Sequence, residues 1–112
     1  MVDYSKLSDF EINCEVAKVN EWTSKSFVHE VHSGKWNPCQ NPADAWPIIV
    51  DSKISLHHSI CKWDADSLVY DKKYKDGFFI FSSCSDIGDI SSRGALRAAM
   101  IVFLMMQDAK NG

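Results

Sequence analysis

The sequence predicts an α+β domain: a small antiparallel sheet of three or four strands packed against a buried C-terminal helix, with two further N-terminal helices. Three observations predict it. From Ala95 to Met106 only Arg97 is polar, and a helix with no broad wet face belongs in the middle of a fold. Between Ile54 and Phe81 the apolar residues alternate, or cluster in short runs separated by turn residues, as strands do. Two helix starts, at Ser8 and Asn41, precede that region. The 112 residues suit one domain spanning 1–112. A 46% hydrophobic and 24% charged composition allows a core without metals or disulfides.

The first helix opens on Ser8-Asp9-Phe10-Glu11. This is a capping box, with Ser8 accepting from an orphan amide and Glu11 reaching back. The helix should run to about Val19. Ile12, Val16 and Val19 form one apolar stripe, and Phe10, Cys14 and Ala17 a second on nearly the opposite side. Either both are covered within the chain or one meets a partner chain. Glu21 to Trp36 is less regular, and Phe27 to His32 alternates weakly, as in an extended arm or short strand. Ser33-Gly34 is a turn.

Asn37-Pro38-Cys39-Gln40-Asn41-Pro42 is a rigid connector, because each proline disfavours helix at the residue before it. The second Asn-Pro step then starts a helix, with Asn41 as N-cap, Pro42 at the first position and Asp44 near the positive end of the dipole. Trp46, Ile49 and Val50 give the inward face by their spacing. Pro47 would lose a backbone hydrogen bond, at about 3 kcal/mol in a regular helix interior, so a kink or 3₁₀ turn is expected there.

Ile54, Leu56, His58 and Ile60 alternate with polar neighbours, and a break near His57 to Ser59 makes a hairpin into Ile60–Trp63. Asp64-Ala65-Asp66 reads as a turn. Leu68–Tyr70 and Phe78–Phe81 are the next strands, joined through Asp76-Gly77. The serine-rich stretch from Ser82 to Ser92 is a loop. Ser91 or Ser92 caps the last helix, which begins near Arg93 and ends around Gln107 to Asn111. Trp46 and Trp63 lie on regular elements and are expected in the core.

The net charge is −3 and the isoelectric point about 5.7. There is no basic stripe of the kind that displaces counterions from nucleic-acid phosphates. The densest basic stretch, Lys72 to Lys75, is bracketed by Asp71 and Asp76 and reads as a solvated turn. The apolar run Ala98–Met106 is too short to span a bilayer. The N-terminal residues carry no secretory apolar stretch, and none of the four cysteines is in a C-x-x-C pair. A cytoplasmic protein with reduced thiols is the expectation.

No nucleotide-binding glycine motif and no nucleophile elbow is present. No catalytic residue, cofactor or metal is therefore predicted. The nearest approach to a ligand set is His57, His58 and Cys61: on a strand His57 and Cys61 share a face, and a tight turn brings all three close. Their ordinary reading is a histidine pair beside a small thiol. His29 and His32 share a side only on a helix. Cys39, in the connector with Asp44 nearby, is the one cysteine in a rigid loop and the candidate nucleophile if the chain is an enzyme. Trp22 and Trp36 flank the irregular arm. With Asn37, Cys39 and Asp44 they are the candidate interaction surface, since exposed tryptophans anchor interfaces.

Three segments together, Tyr4 to Asn13, Asn37 to Ile49 and Leu96 to Gln107, resemble the NinX-like family of small proteins of lambdoid phages and prophages, most specifically in Asn41-Pro-Ala-Asp-Ala-Trp-Pro-Ile48. The segment from His57 to Ser92 departs from the family pattern. The resemblance implies a phage or prophage accessory protein in the bacterial cytoplasm, and it carries over no activity, ligand or catalytic residue. The leading expectation is a non-enzymatic protein that binds a host or phage macromolecule, with a homodimer also open. The alternatives are a small enzyme or metal-dependent protein, and a nucleic-acid-associated factor in phage replication or recombination.

Overall fold

In the computed structural model the described residues are 3–19, 25–70 and 78–111. Trp22 and the basic turn at Lys72 to Lys75 lie outside them. A 3₁₀ turn at Tyr4–Lys6 leads into α1 (Asp9–Val19), α2 (Lys25–Ser33) and α3 (Pro42–Asp51). Then come β1 (Ser55–His58), β2 (Trp63–Tyr70), β3 (Phe78–Cys84) and α4 (Ser92–Asn111). The sheet has three antiparallel strands in the order β1-β2-β3. The fold is α+β, as its class was read from the sequence.

The central layer is α4. It touches β2 and β3 as well as α1 and α3. Ala95, Leu96 and every residue from Ala98 to Leu104 are buried, which explains why the helix carries no broad polar face. No helix among the described residues is long and apolar enough to cross a membrane. Arg97 is the polar exception. Its guanidinium lies 2.7 Å from Asp9 Oδ1 and donates to the carbonyls of Ser5 and Leu7, so it pins the N-terminal turn to α4. Gly94 is held by packing: a Cβ there would come within 2.8 Å of Asp89 Oδ2 and 2.9 Å of Ser85 Cβ.

The caps form as the sequence predicts. Ser8 and Glu11 make the reciprocal box, at 3.1 Å from Glu11 N to Ser8 Oγ and 3.0 Å from Ser8 N to Glu11 Oε1. The Asn41 side chain accepts from Ala43 N at 3.0 Å, and Ser91 Oγ from Gly94 N at 3.2 Å. Helix α1 contacts both α4 and α2; Ile12, Val16 and Ala17 are buried, while Val19 in one stripe and Phe10 in the other stay partly exposed.

Four local expectations are corrected. The arm expected to be extended between Phe27 and His32 is helical, as α2. Val31 is buried, His32 lies with its ring centroid 5.5 Å from that of Phe10, and Gly34 at φ +82° ends the helix where a left-handed residue is needed. Asp64-Ala65-Asp66 is not a turn but part of β2: Ala65 points into the core and the two aspartates onto the other face. The inward side of α3 is Ala45, Ile48 and Ile49 instead of Trp46, Ile49 and Val50. Trp46 is 62% exposed and Val50 48%. Finally, of the kink or 3₁₀ turn expected at Pro47 the 3₁₀ turn does not form, and α3 continues through it as α-helix. Pro47 and Ala43, whose carbonyl loses its donor, are both exposed, so water can take up that carbonyl.

Candidate interaction surfaces

The connector before α3 is tied down from three directions. Asn13, buried on α1, donates from Nδ2 to Asn37 Oδ1 at 2.8 Å and accepts Cys39 N at Oδ1 at 3.3 Å. Asp44 reaches back from the first turn of α3 to accept Asn37 N at 2.9 Å. The carbonyl of Asn37 accepts from both Gln40 N and Asn41 N. Gln40 Nε2 donates to Asp9 Oδ2 at 2.9 Å, and the other oxygen of Asp9 holds Arg97. Asn37, Cys39 and Asp44 thus belong to one clamp that fixes the start of α3 on α1. Trp36 beside them is buried, with its backbone N–H donating to Glu30 O.

The clamp decides what the thiols can do. Cys39 is fully buried, and burial pushes its thiol up to about 12. A thiol protonated at neutral pH and sealed from solvent is no nucleophile. Cys14 is half-buried and its thiol is also raised by burial, whereas Cys61 and Cys84 are exposed. Labelling of the native protein at neutral pH with a small disulfide reagent should therefore modify Cys61 and Cys84 promptly, Cys14 more slowly, and Cys39 only on unfolding. The same burial sets a pH dependence. The folded state holds the Cys39 proton more tightly than the unfolded chain does. Its contribution to stability is whole below about 9 and is lost as the pH rises towards about 12. Chemical denaturation at graded alkaline pH should show that decline, less steeply in Cys39→Ala.

The histidines do not converge. His57 and His58 point to opposite faces of β1. His57 Nε2 lies 3.1 Å from Asp66 Oδ2 on the sheet face away from α4, and the His58 ring is centred 5.2 Å from Trp63. Cys61 lies beyond both, in the turn between β1 and β2. His29 and His32 share α2. Among the described residues no group of three or more histidine, cysteine, aspartate or glutamate side chains is placed to hold a metal ion.

Among the described residues, two exposed apolar surfaces stand out besides the cross-strand pair Leu68 and Ile80. The first is the outer half of α3, with Pro42, Ala43, Trp46, Pro47 and Val50. The second lies on two loops joined to each other. In the β1–β2 turn, Ser59 N and Ser59 Oγ both donate to Lys62 O. In the loop between β3 and α4, Ser85 Oγ donates to Asp89 O at 2.7 Å and accepts from Trp63 N at 2.8 Å. Gly88 N donates to Cys61 O, and Trp63 Nε1 to Ile90 O at 2.9 Å. These bonds set the loops side by side, with Ile60 99%, Ile87 85% and Ile90 56% exposed. Sequence reasoning missed them. Ile60 was read into the strand alternation, whereas β1 ends at His58 and leaves it in the turn; Ile87 and Ile90 are isolated isoleucines in a polar loop, where no strand or helix period requires an apolar residue.

A protein-family model described as Bacteriophage P22, NinX matches residues 3–107 of this chain. No curated protein and no solved structure matches it.

Proposed function

We propose, from the premise that the chain belongs to the Bacteriophage P22 NinX family, that it is a non-enzymatic phage protein that binds a host or phage protein through the isoleucine loops. The observation that carries this reading is the trio Ile60, Ile87 and Ile90, held out by backbone and side-chain hydrogen bonds on two loops that contact each other. Single exposed apolar residues are ordinary, but three isoleucines held out on two adjoining, braced loops cost solubility without adding to the core. Covering them with an apolar partner surface would recover that hydrophobic free energy.

The surroundings favour a protein over a charged polymer or membrane. Asp86 and Asp89 flank the isoleucines, and hydrogen bonds from Ser91 hold the Asp89 carboxyl below its usual range. Nucleic acid or an anionic lipid headgroup would meet these carboxylates and a chain of net charge −3. Burial of Cys39 argues against the thiol-enzyme alternative, and the separation of His57, His58 and Cys61 against the metal alternative.

The test compares tagged wild-type chain with Ile60→Ser/Ile87→Ser in phage-infected cells. Both positions are exposed, so thermal stability should stay within about 0.5 kcal/mol per site. Proteins recovered with the wild type should be lost with the double variant. Recovery of the same set by both, or of nothing beyond the tagged chain, would end this reading.

A further inference from the structure

Strand β3 is an edge of the sheet, and its backbone is open along that edge. The order β1-β2-β3 gives it one neighbour, β2. Ser85 N donates to Trp63 O in the pair just beyond the strand, and the register then runs from Cys84 to Phe78 without a bulge. Hydrogen-bonded pairs recur at every second residue, so Ser83 and Phe81 turn their backbone groups to β2. Ile80, Ser82 and Cys84 turn theirs outward, and among the described residues no hydrogen bond takes them up. Free edges are ordinarily blunted by shortness, charge, proline or a bulge. The opposite edge, β1, has only four residues. The β3 edge has seven, with no charge and no proline among them. Beside it, Ser82 and Ser83 wall a recess of about 370 Å³ whose other sides are Asp3 and Tyr4 of the N-terminal turn and Ile101 and Met105 of α4. On the sheet face away from α4, Ile80 lies directly across from Leu68, and both are exposed.

We propose that the free edge of β3 docks an extended peptide segment of another protein, which adds to the sheet as a fourth strand. Unpaired N–H and C=O groups at every second residue are matched by another extended backbone, so the edge itself sets the occupant's conformation. Side chains set its sequence. Successive residues of an added strand face alternate sides of the sheet. The residue opposite Ser83 enters the recess against Met105, and the one opposite Ile80 covers Ile80 from the other face. The segment therefore carries two apolar residues three positions apart. Asp3 stands at the rim of the recess, and hydrogen bonds from Ser5 hold its carboxyl below the usual range. That charge favours a lysine or arginine beside the inward residue. None of the isoleucine-loop residues takes part, so either site can fail alone.

Selection of binders to the full chain from a random library of short linear peptides tests it, followed by amide hydrogen exchange read residue by residue. Selected peptides should share the two apolar positions and a basic residue. The amides of Ile80, Ser82 and Cys84 should exchange readily in the free chain and slow at least roughly tenfold with a selected peptide, while those of Phe81 and Ser83 are slow in both states. Ser82→Pro removes one outward N–H and leaves the bonds to β2 in place. Edge strands accept proline at such positions, so the chain should stay folded and bind at least roughly tenfold more weakly. A peptide N-methylated where it faces the edge should lose as much with the protein unaltered. No selected peptide, protection confined to other residues, or binding indifferent to both changes overturns the proposal. So does protection of the three edge amides without peptide, the result expected if a second copy fills the edge.

Discussion

Asn13→Ala should cost about 3 kcal/mol, since it leaves the buried Cys39 N–H and the half-buried Asn37 Oδ1 without their partner at once. Among the described residues, the Asn13 side chain is the hydrogen-bond partner of both Asn37 Oδ1 and Cys39 N. Both groups belong to a connector whose prolines remove two backbone donors, and Pro38 and Cys39 are buried with it. Water cannot replace Asn13 without the connector lifting off α1. The loss should appear as a fall of about 10 °C in melting temperature. It should be matched by a fall in the denaturant midpoint at unchanged slope. Asn13→Asp makes the mechanism specific. A carboxylate still accepts Cys39 N but meets Asn37 Oδ1 with a second acceptor, so most of the loss should persist. A loss below about 1 kcal/mol in Asn13→Ala would mean that Asp44 and the prolines hold the connector without it.

Met100→Ala should cost about 3 to 4 kcal/mol. Met100 is fully buried in α4, with Ala98, Ala99, Ile101 and Val102 buried around it. The helix is enclosed between the sheet and α1 and α3, so no surface-facing segment is free to collapse into the void. The lost transfer free energy and the cavity left behind therefore add. Met105, on the same helix but only partly buried, provides the comparison. Met105→Ala should cost less than half as much, because solvent already occupies part of its surroundings. Equal losses at the two positions would contradict α4 as the central layer.

Much of this arrangement was legible without coordinates. The capping box at Ser8 and Glu11, the Asn41-Pro42 start and the Ser91 cap are contacts between residues no more than three apart. The burial of α4 follows from composition, because Ala95 to Met106 offers only Arg97 to water. The errors fall where local pattern allows two answers. In α3 almost any face is apolar enough to point inward, and the choice of Ala45, Ile48 and Ile49 over Trp46 and Val50 depends on where α4 lies. Asp64-Ala65-Asp66 has the composition of a turn, but it also alternates as a strand does, and pairing with β1 and β3 selects the strand.

The candidate residues divide in the same way. Asn37, Cys39 and Asp44 were read as an interaction surface beside Trp22 and Trp36, but Asp44 accepts Asn37 N within the connector. Asn37 and Cys39 are held by Asn13, more than twenty residues away in the chain. The isoleucine surface was invisible for a related reason. Ile60 and Ile87 lie far apart in sequence, and it is hydrogen bonds such as Gly88 N to Cys61 O, Trp63 N to Ser85 Oγ and Trp63 Nε1 to Ile90 O that bring their loops together. By itself the sequence determined the fold class, the helix starts and the central helix, since capping and hydrophobic periodicity act over one or two turns. The tertiary structure alone decided which side of α3 meets water, what holds the connector and which apolar side chains remain outside, because each depends on contacts between segments distant in the chain.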